Sequence, residues 1–257
     1  MPESIAAPTR RRIHMMDELR GFAVFCMVFY HAFYTLAYLY NIEQGMALLR
    51  FFMPAEPLFA GLFIFISGIS SDLSHSNLKR GLKLLAVALG VTLVTGLAVP
   101  DELITFGILH FLSVCMILYG LVKPFSDRFR FSWVAVAVCI LLYLFTMNMV
   151  RGYLGPAPQL SIAIPQALYS TNFLAPLGIF NEHFVSADYF PLFPWIFVFA
   201  AGTVTGKLAT AEKFPEFLYP SRVPFLSWLG RHALIIYIVH QPVIYGVCWL
   251  IEKIAGK

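Results

Sequence analysis

Charge is the first thing this sequence has little of. Asp, Glu, Lys and Arg make up 12% of its 257 residues, against 59% hydrophobic, and a water-soluble globule carries about twice that charge. A soluble enzyme or soluble binding module is thereby excluded, and with a mean hydropathy of +0.75 the chain reads as a polytopic membrane protein. The basic residues form no aromatic-interleaved patch, so a formal charge of +4 does not point to nucleic acid. Cysteine is scarce too. Cys26, Cys115, Cys139 and Cys248 each fall inside an apolar run without zinc-type spacing, so they are expected as free thiols and no metal is expected. No internal repeat is visible. The first apolar run is long for a signal-peptide core and lacks a small-residue cleavage site, so it is kept as a helix.

What is present is a succession of apolar runs separated by short charged connections. The pattern predicts an all-α polytopic membrane helical bundle of about seven transmembrane helices. Spans are expected from Leu19 to about Tyr40, Leu58 to Leu73, after Lys83 to Ala98, Leu103 to Val122, Ser132 to about Met149, 186 to 207, and Leu226 to Leu250. Residues 1–14, ending on Arg10, Arg11 and Arg12, read as a cytoplasmic basic flank, and 15–257 as a single transmembrane domain. Asn41 to Pro57 reads as a connection. Arg151 to Ala187 breaks the pattern: it is rich in Gly, Pro and aromatic residues and interrupted by Pro165 and Pro176. Short re-entrant or surface helices forming a lid before the sixth span are expected there.

Placement of the basic residues gives the orientation. With the N-terminus inside, fourteen of the eighteen Lys and Arg residues fall on the inner side, and only Arg50, Arg151, Lys253 and Lys257 on the outer. A cytoplasmic N-terminus and an outer C-terminus follow.

Within this frame the polar residues can be compared for depth. His31 lies about 18 Å from the inner end of the first span, His110 about 20 Å from the inner face, and His240 about 13 Å in. An ionisable group at membrane depth is a functional candidate, and three on different helices suggest a polar cavity. The alternative for each is a histidine satisfied between helices. Arg20 stands roughly 16 Å below His31, and the last helix repeats the arrangement with Arg231 at its inner end and His240 about 13 Å further in. For Arg20 the local partner is Asp17 at helical spacing, and the more specific one a ligand phosphate. With Lys79, Arg80 and Lys83 these arginines would make a cationic vestibule suited to a phosphorylated cytosolic molecule. In the second span Ser67 and Gly68 either pack helices closely or line a narrow cavity. Asp188 either orients an acceptor at the mouth of the sixth span or caps a helix.

Five short stretches carry a resemblance: DELRGFAVFCMVFYH, LFIFISGIS, FGILH, DYFPLFPW and LGRHALIIYIVHQP, in that order. Together they resemble the family named after the catalytic region of heparan-α-glucosaminide N-acetyltransferase, within the broader transmembrane acyltransferases, over nearly the whole chain past residue 10. The resemblance implies a bacterial member in the cytoplasmic membrane. It implies acyl transfer from cytosolic acyl-CoA, acetyl-CoA in the first instance, to an amine or hydroxyl acceptor reached from the opposite face. It also implies that Arg20 orients the CoA phosphates, that His31 is the catalytic histidine, and that Arg231, His240 and Gln241 belong to the closing-helix motif. Here the chain departs from the lysosomal branch, which has Asn at the position of His31 and a histidine further along; residues 32–56 contain none. Heparan is therefore not assigned as the acceptor.

The chemistry stands on its own terms. An amine or hydroxyl attacking a thioester must lose a proton, and a neutral imidazole, with an ordinary pKa near 6.5, is a suitable base. His31 is the first choice for that base. The same residue as nucleophile, through an acetyl-imidazole, is the alternative. His240 or His110 could donate to the developing oxyanion, and Asp188 and Gln241 are candidates for binding the acceptor. Expected partners are acyl-CoA, a saccharide or other small acceptor, and membrane lipid; whether two copies form a homodimer is left open. From other classes, a transporter or proton pathway also uses midplane histidines but expects related halves, and a haem carrier needs facing axial histidines.

Overall fold

The structure is a computed structural model and describes residues 11–255. Arg10 and the rest of the flank before Arg11, and Lys257, lie outside the described residues. The helices are α1 (His14–Tyr38), α2 (Glu43–Phe52), α3 (Glu56–Asp72), α4 (Asn77–Ala98), α5 (Ile108–Ser126), α6 (Trp133–Thr146), α7 (Leu192–Thr210), α8 (Pro224–Arg231) and α9 (Ala233–Ala255). Among the described residues, seven helical stretches are long and apolar enough to cross a membrane: α1, α2–α3 together, α4, α5, α6 with its following turn, α7 and α9. They carry large apolar side chains on the outside, among them Leu97, Val134, Leu141 and Ile254, as helices solvated by lipid do.

The chain divides into two compact units. The first takes the residues up to Phe63 and those from Phe214 onward, and the second takes Ile64–Lys213. The first has Ala23, Val24 and Leu49 in its core, and the second has Ile64, Ile66, Phe111 and Cys115 in its own.

Three elements differ from the sequence expectation. The connection from Asn41 to Pro57 is mostly helix: Asn41 takes a left-handed conformation (φ 52°), and α2 folds back along the end of α1. A Cβ on Gly45 would lie 2.7 Å from the Leu36 Cβ, and Leu49 is fully buried, so close packing rather than loop chemistry shapes this stretch. The final span is broken. α8 ends at Arg231 and α9 begins at Ala233, because the His232 N–H and ring Nδ1 both turn back onto α8 carbonyls, the ring donating to Trp228 O at 2.8 Å. Finally, the stretch before α7 opens with an antiparallel hairpin, β1 (Tyr153–Ala157) and β2 (Leu160–Ala163), where helices were expected. Gly155 permits the irregularity in β1 between Leu154 and Ala157: its φ is +127° and a Cβ there would lie 2.1 Å from Leu160 O. Two short 3-10 helices follow the hairpin, Gln166–Ser170 and Ala175–Leu177.

Candidate active site

In the first unit, the site begins where α1 meets α8 through glycine. A Cβ on Gly21 would stand 1.9 Å from Leu226 O, and one on Gly230 would stand 1.9 Å from Asp17 O. Arg20 and Arg231 adjoin these two glycines in sequence, so the backbone contact fixes where both guanidinium stems begin.

The same corner is tied by Glu18, which is buried. Its Oε1 accepts from the backbone N–H of Arg222 (2.6 Å) and Val223 (2.9 Å) and from the hydroxyls of Ser221 (3.1 Å) and Ser227 (3.4 Å). Val223 is the residue before α8 and has no side-chain acceptor of its own, so the carboxylate from α1 serves as the cap. Asp17 is shared by two arginines, with Arg12 Nη2 at 2.7 Å and Arg20 Nη1 at 3.3 Å. The local partner expected for Arg20 is thus in place.

α1 runs without interruption from this corner, so the spacing of roughly 16 Å between Arg20 and His31 stands. α9 brings its two polar residues to His31: the Gln241 Nε2 lies 3.3 Å from His31 Nδ1, and the rings of His31 and His240 lie 4.9 Å apart. His240 is buried, and its Nδ1–H donates to Tyr237 O at 2.6 Å. Two buried oxygens close by have no hydrogen-bond partner among the described residues, Gln241 Oε1 and, one turn beyond His31, Thr35 Oγ1. Turning the Gln241 amide over would set its oxygen against His31 Nδ1. His31, His240 and Gln241 are therefore one cluster, sharing its unit with Arg20 and Arg231.

The remaining expected residues belong to the second unit. His110 uses both ring nitrogens there. Gly107 N–H donates to Nδ1 at 3.3 Å, while Thr92, whose hydroxyl donates to Ile104 O at 2.7 Å, accepts from Nε2–H at 3.2 Å. Asp188 Oδ2 accepts from Ile108 N–H at 3.0 Å, so it caps α5 rather than the helix it precedes. Strand-like pairing holds this arrangement, with Ala187 N–H on Leu103 O (3.0 Å) and Phe190 N–H on Phe106 O (3.1 Å). Lys79 and Arg80 are exposed in the first turn of α4. Ser67 sits beside Gly68, where a Cβ on Gly68 would meet Phe199 O at 2.2 Å and one on Gly202 would meet Phe65 O at 2.2 Å; here small residues set helix packing.

One cluster escaped the sequence reading. Asp72, buried at the end of α3, accepts from Tyr119 OH (2.5 Å), Lys207 Nζ (2.6 Å) and Thr210 Oγ1 (2.8 Å). Lys207 and Lys123 also reach Asp127 Oδ1, at 2.9 and 3.0 Å. Burial would raise the Asp127 carboxyl, but the bonds from Lys207 and Lys123 outweigh it and hold the group below the usual carboxylate range. The signal was an Asp closing one apolar run with lysines closing two others; read as topology markers, the lysines hid their role as counter-ions.

Among the described residues no group of three or more His, Cys, Asp or Glu side chains could hold a metal ion. Comparison with curated proteins gives no match, nor does comparison with solved structures. Comparison with protein families matches residues 12–242, from the corner of α1 through Gln241, to the catalytic region of heparan-alpha-glucosaminide N-acetyltransferase. With its seven membrane-length helices, this chain belongs to that family of transmembrane acyltransferases.

Proposed function

We propose that the protein moves an acetyl group from cytosolic acetyl-CoA to an amine or hydroxyl acceptor, a sugar or glycan, reached from the opposite face of the membrane, with His31 as general base. The cluster that His31 on α1, the helix that also carries Arg20, makes with His240 and Gln241 of α9 carries this reading. The surplus of basic residues on one side supports a cytoplasmic N-terminus and an outer C-terminus.

Arg20 and Arg231 hold the phosphates of CoA, since the guanidinium fork matches phosphate oxygens. Gln241, its amide oxygen accepting Nδ1–H, keeps the lone pair of His31 on Nε2, and His240 packs the ring in place. The acceptor gives its proton to that nitrogen as it attacks the thioester carbonyl. The C–S bond then breaks, and the departing thiolate takes the proton back from the imidazolium, so base and charge are restored. His110 and Asp188 hold the start of α5.

The test compares acetyl-CoA with acetyl-pantetheine, which lacks the nucleotide phosphates, using an amino-sugar panel as acceptors. Wild type is expected to prefer acetyl-CoA, and Arg20→Gln and Arg231→Gln to lose that preference through KM. An unchanged preference in both variants would overturn the phosphate assignment.

A further inference from the structure

The stretch between α6 and α7 is unusual in what surrounds it. From Gly152 to Asn181 the sequence has no Asp, Glu, Lys, Arg or His over thirty residues, yet much of it is outside the packed core. Leu160 is 74% exposed, Ile162 62% and Phe173 89%. Large apolar side chains this exposed, with no charged residue among them, are poorly suited to water. Hydrocarbon is equally unsuitable. β2 pairs only with β1, so its outer edge leaves backbone N–H and C=O groups unpaired, and Gln159, Ser161, Gln166 and Asn172 are exposed as well; unpaired backbone is not found against lipid tails.

The stretch also starts and ends at a span. The turn closing α6 is fixed to it by Asn148 Nδ2 donating to Gly155 O (2.9 Å) and by Tyr169 OH donating to Met149 O. On the other side Tyr189 OH donates to Ala175 O at 2.7 Å, just before α7. The stretch thus follows directly on the end of α6 where Leu144, Phe145 and Met147 are exposed.

We infer that the hairpin and the turns after it form a platform lying in the lipid headgroup layer, with Leu160, Ile162 and Phe173 dipped toward the acyl chains and the β2 edge hydrated by headgroups and water. The partner is the bilayer surface itself. The platform is neither a hydrated loop nor a re-entrant segment.

The full chain, reconstituted in phosphatidylcholine–phosphatidylglycerol vesicles, tests this. With the four native cysteines replaced, a nitroxide is placed by Ile162→Cys or Phe173→Cys, with Glu182→Cys as the aqueous reference and Leu141→Cys as the hydrocarbon one. Collisions with a water-soluble nickel chelate are expected to be several-fold fewer at 162 and 173 than at 182, and clearly more frequent than at 141. Nickel access equal to that at 182 overturns the platform in favour of a hydrated loop. Access equal to that at 141 overturns it in favour of re-entry. Exclusion of both nickel and oxygen overturns it in favour of cover by protein. In the native-cysteine chain, a benzophenone amino acid at 173 is expected to capture phospholipid; capture of a second copy, or of no lipid, overturns the platform independently of the cysteine replacements.

Discussion

Replacing Glu18 probes whether the α1–α8 corner is held by one carboxylate. Its Oε1 satisfies two backbone N–H groups and two hydroxyls in a buried place. Glu18→Ala strands both backbone donors, each costing about 1–3 kcal/mol when buried and unpaired, so about 2–6 kcal/mol is lost. Glu18→Gln keeps an acceptor oxygen and gives up the charge; the difference between charged and neutral hydrogen bonds, with the helix-dipole contribution, is about 1–2 kcal/mol. Amide hydrogen exchange at Arg222 and Val223 reads this locally in the detergent-solubilised full chain. With tenfold per 1.4 kcal/mol, exchange at these two amides accelerates at least ~30-fold in Glu18→Ala and about 5–30-fold in Glu18→Gln, and Tm falls in the same order. Wild-type protection at both amides in Glu18→Ala would refute the cap.

Gly230→Ala should be at least as damaging as Glu18→Ala, since its Cβ meets backbone rather than a movable side chain; Tm in detergent and acetyl-CoA KM are the readouts. Asp72→Asn leaves Lys207 and Lys123 with the half-exposed Asp127 as counter-ion, so the loss of stability, read as a fall in Tm, should be less than the about 3–5 kcal/mol of a fully stranded buried charge, and adding Lys207→Met should recover part of the loss. Asp127 is half-exposed and its folded-state carboxyl is held low. Its contribution is thus present above the unfolded pKa of about 3.9 and lost as pH falls through the lower folded value; the Tm gap between wild type and Asp127→Asn should be open at pH 7 and close below about pH 4. Gln241→Leu should lower kcat about tenfold or more with little change in acetyl-CoA KM, while Gln241→Glu, still able to accept from Nδ1–H, should retain more activity and shift the pH–rate profile; ring-nitrogen NMR of His31 would show the change of tautomer.

The membrane spans were legible because lipid demands long apolar runs, and the sequence marks them plainly. Their ends were less so. α2 looks like a connection because Glu43 and Arg50 interrupt its apolar residues, yet the same spacing buries Leu49 against the chain it follows. The break at His232 could not be read from composition, since it depends on a ring turning back to Trp228 O. Depth estimates suggested that His31 and His240 lie at comparable levels, but only packing of α9 on α1 puts their rings 4.9 Å apart and selects Gln241 as the neighbour. His110 illustrates the opposite case. Its depth was readable, whereas its bonds to Thr92 and Gly107 depend on local folding of the residues before α5. Glu18 and Asp72 were passed over for a common reason: a carboxylate near a helix end looks solvated until distant residues are folded over it.

The most direct measurement is CoA release from acetyl-CoA by the purified full chain and by His31→Ala, with amino sugars and a membrane extract as acceptors and acetyl-CoA binding measured alongside. The account predicts turnover by wild type, loss of about 100-fold or more in His31→Ala, and acetyl-CoA binding retained in both. Equal turnover by the two proteins would contradict His31 as the base, and absence of both turnover and acetyl-CoA binding in wild type would contradict the transferase itself.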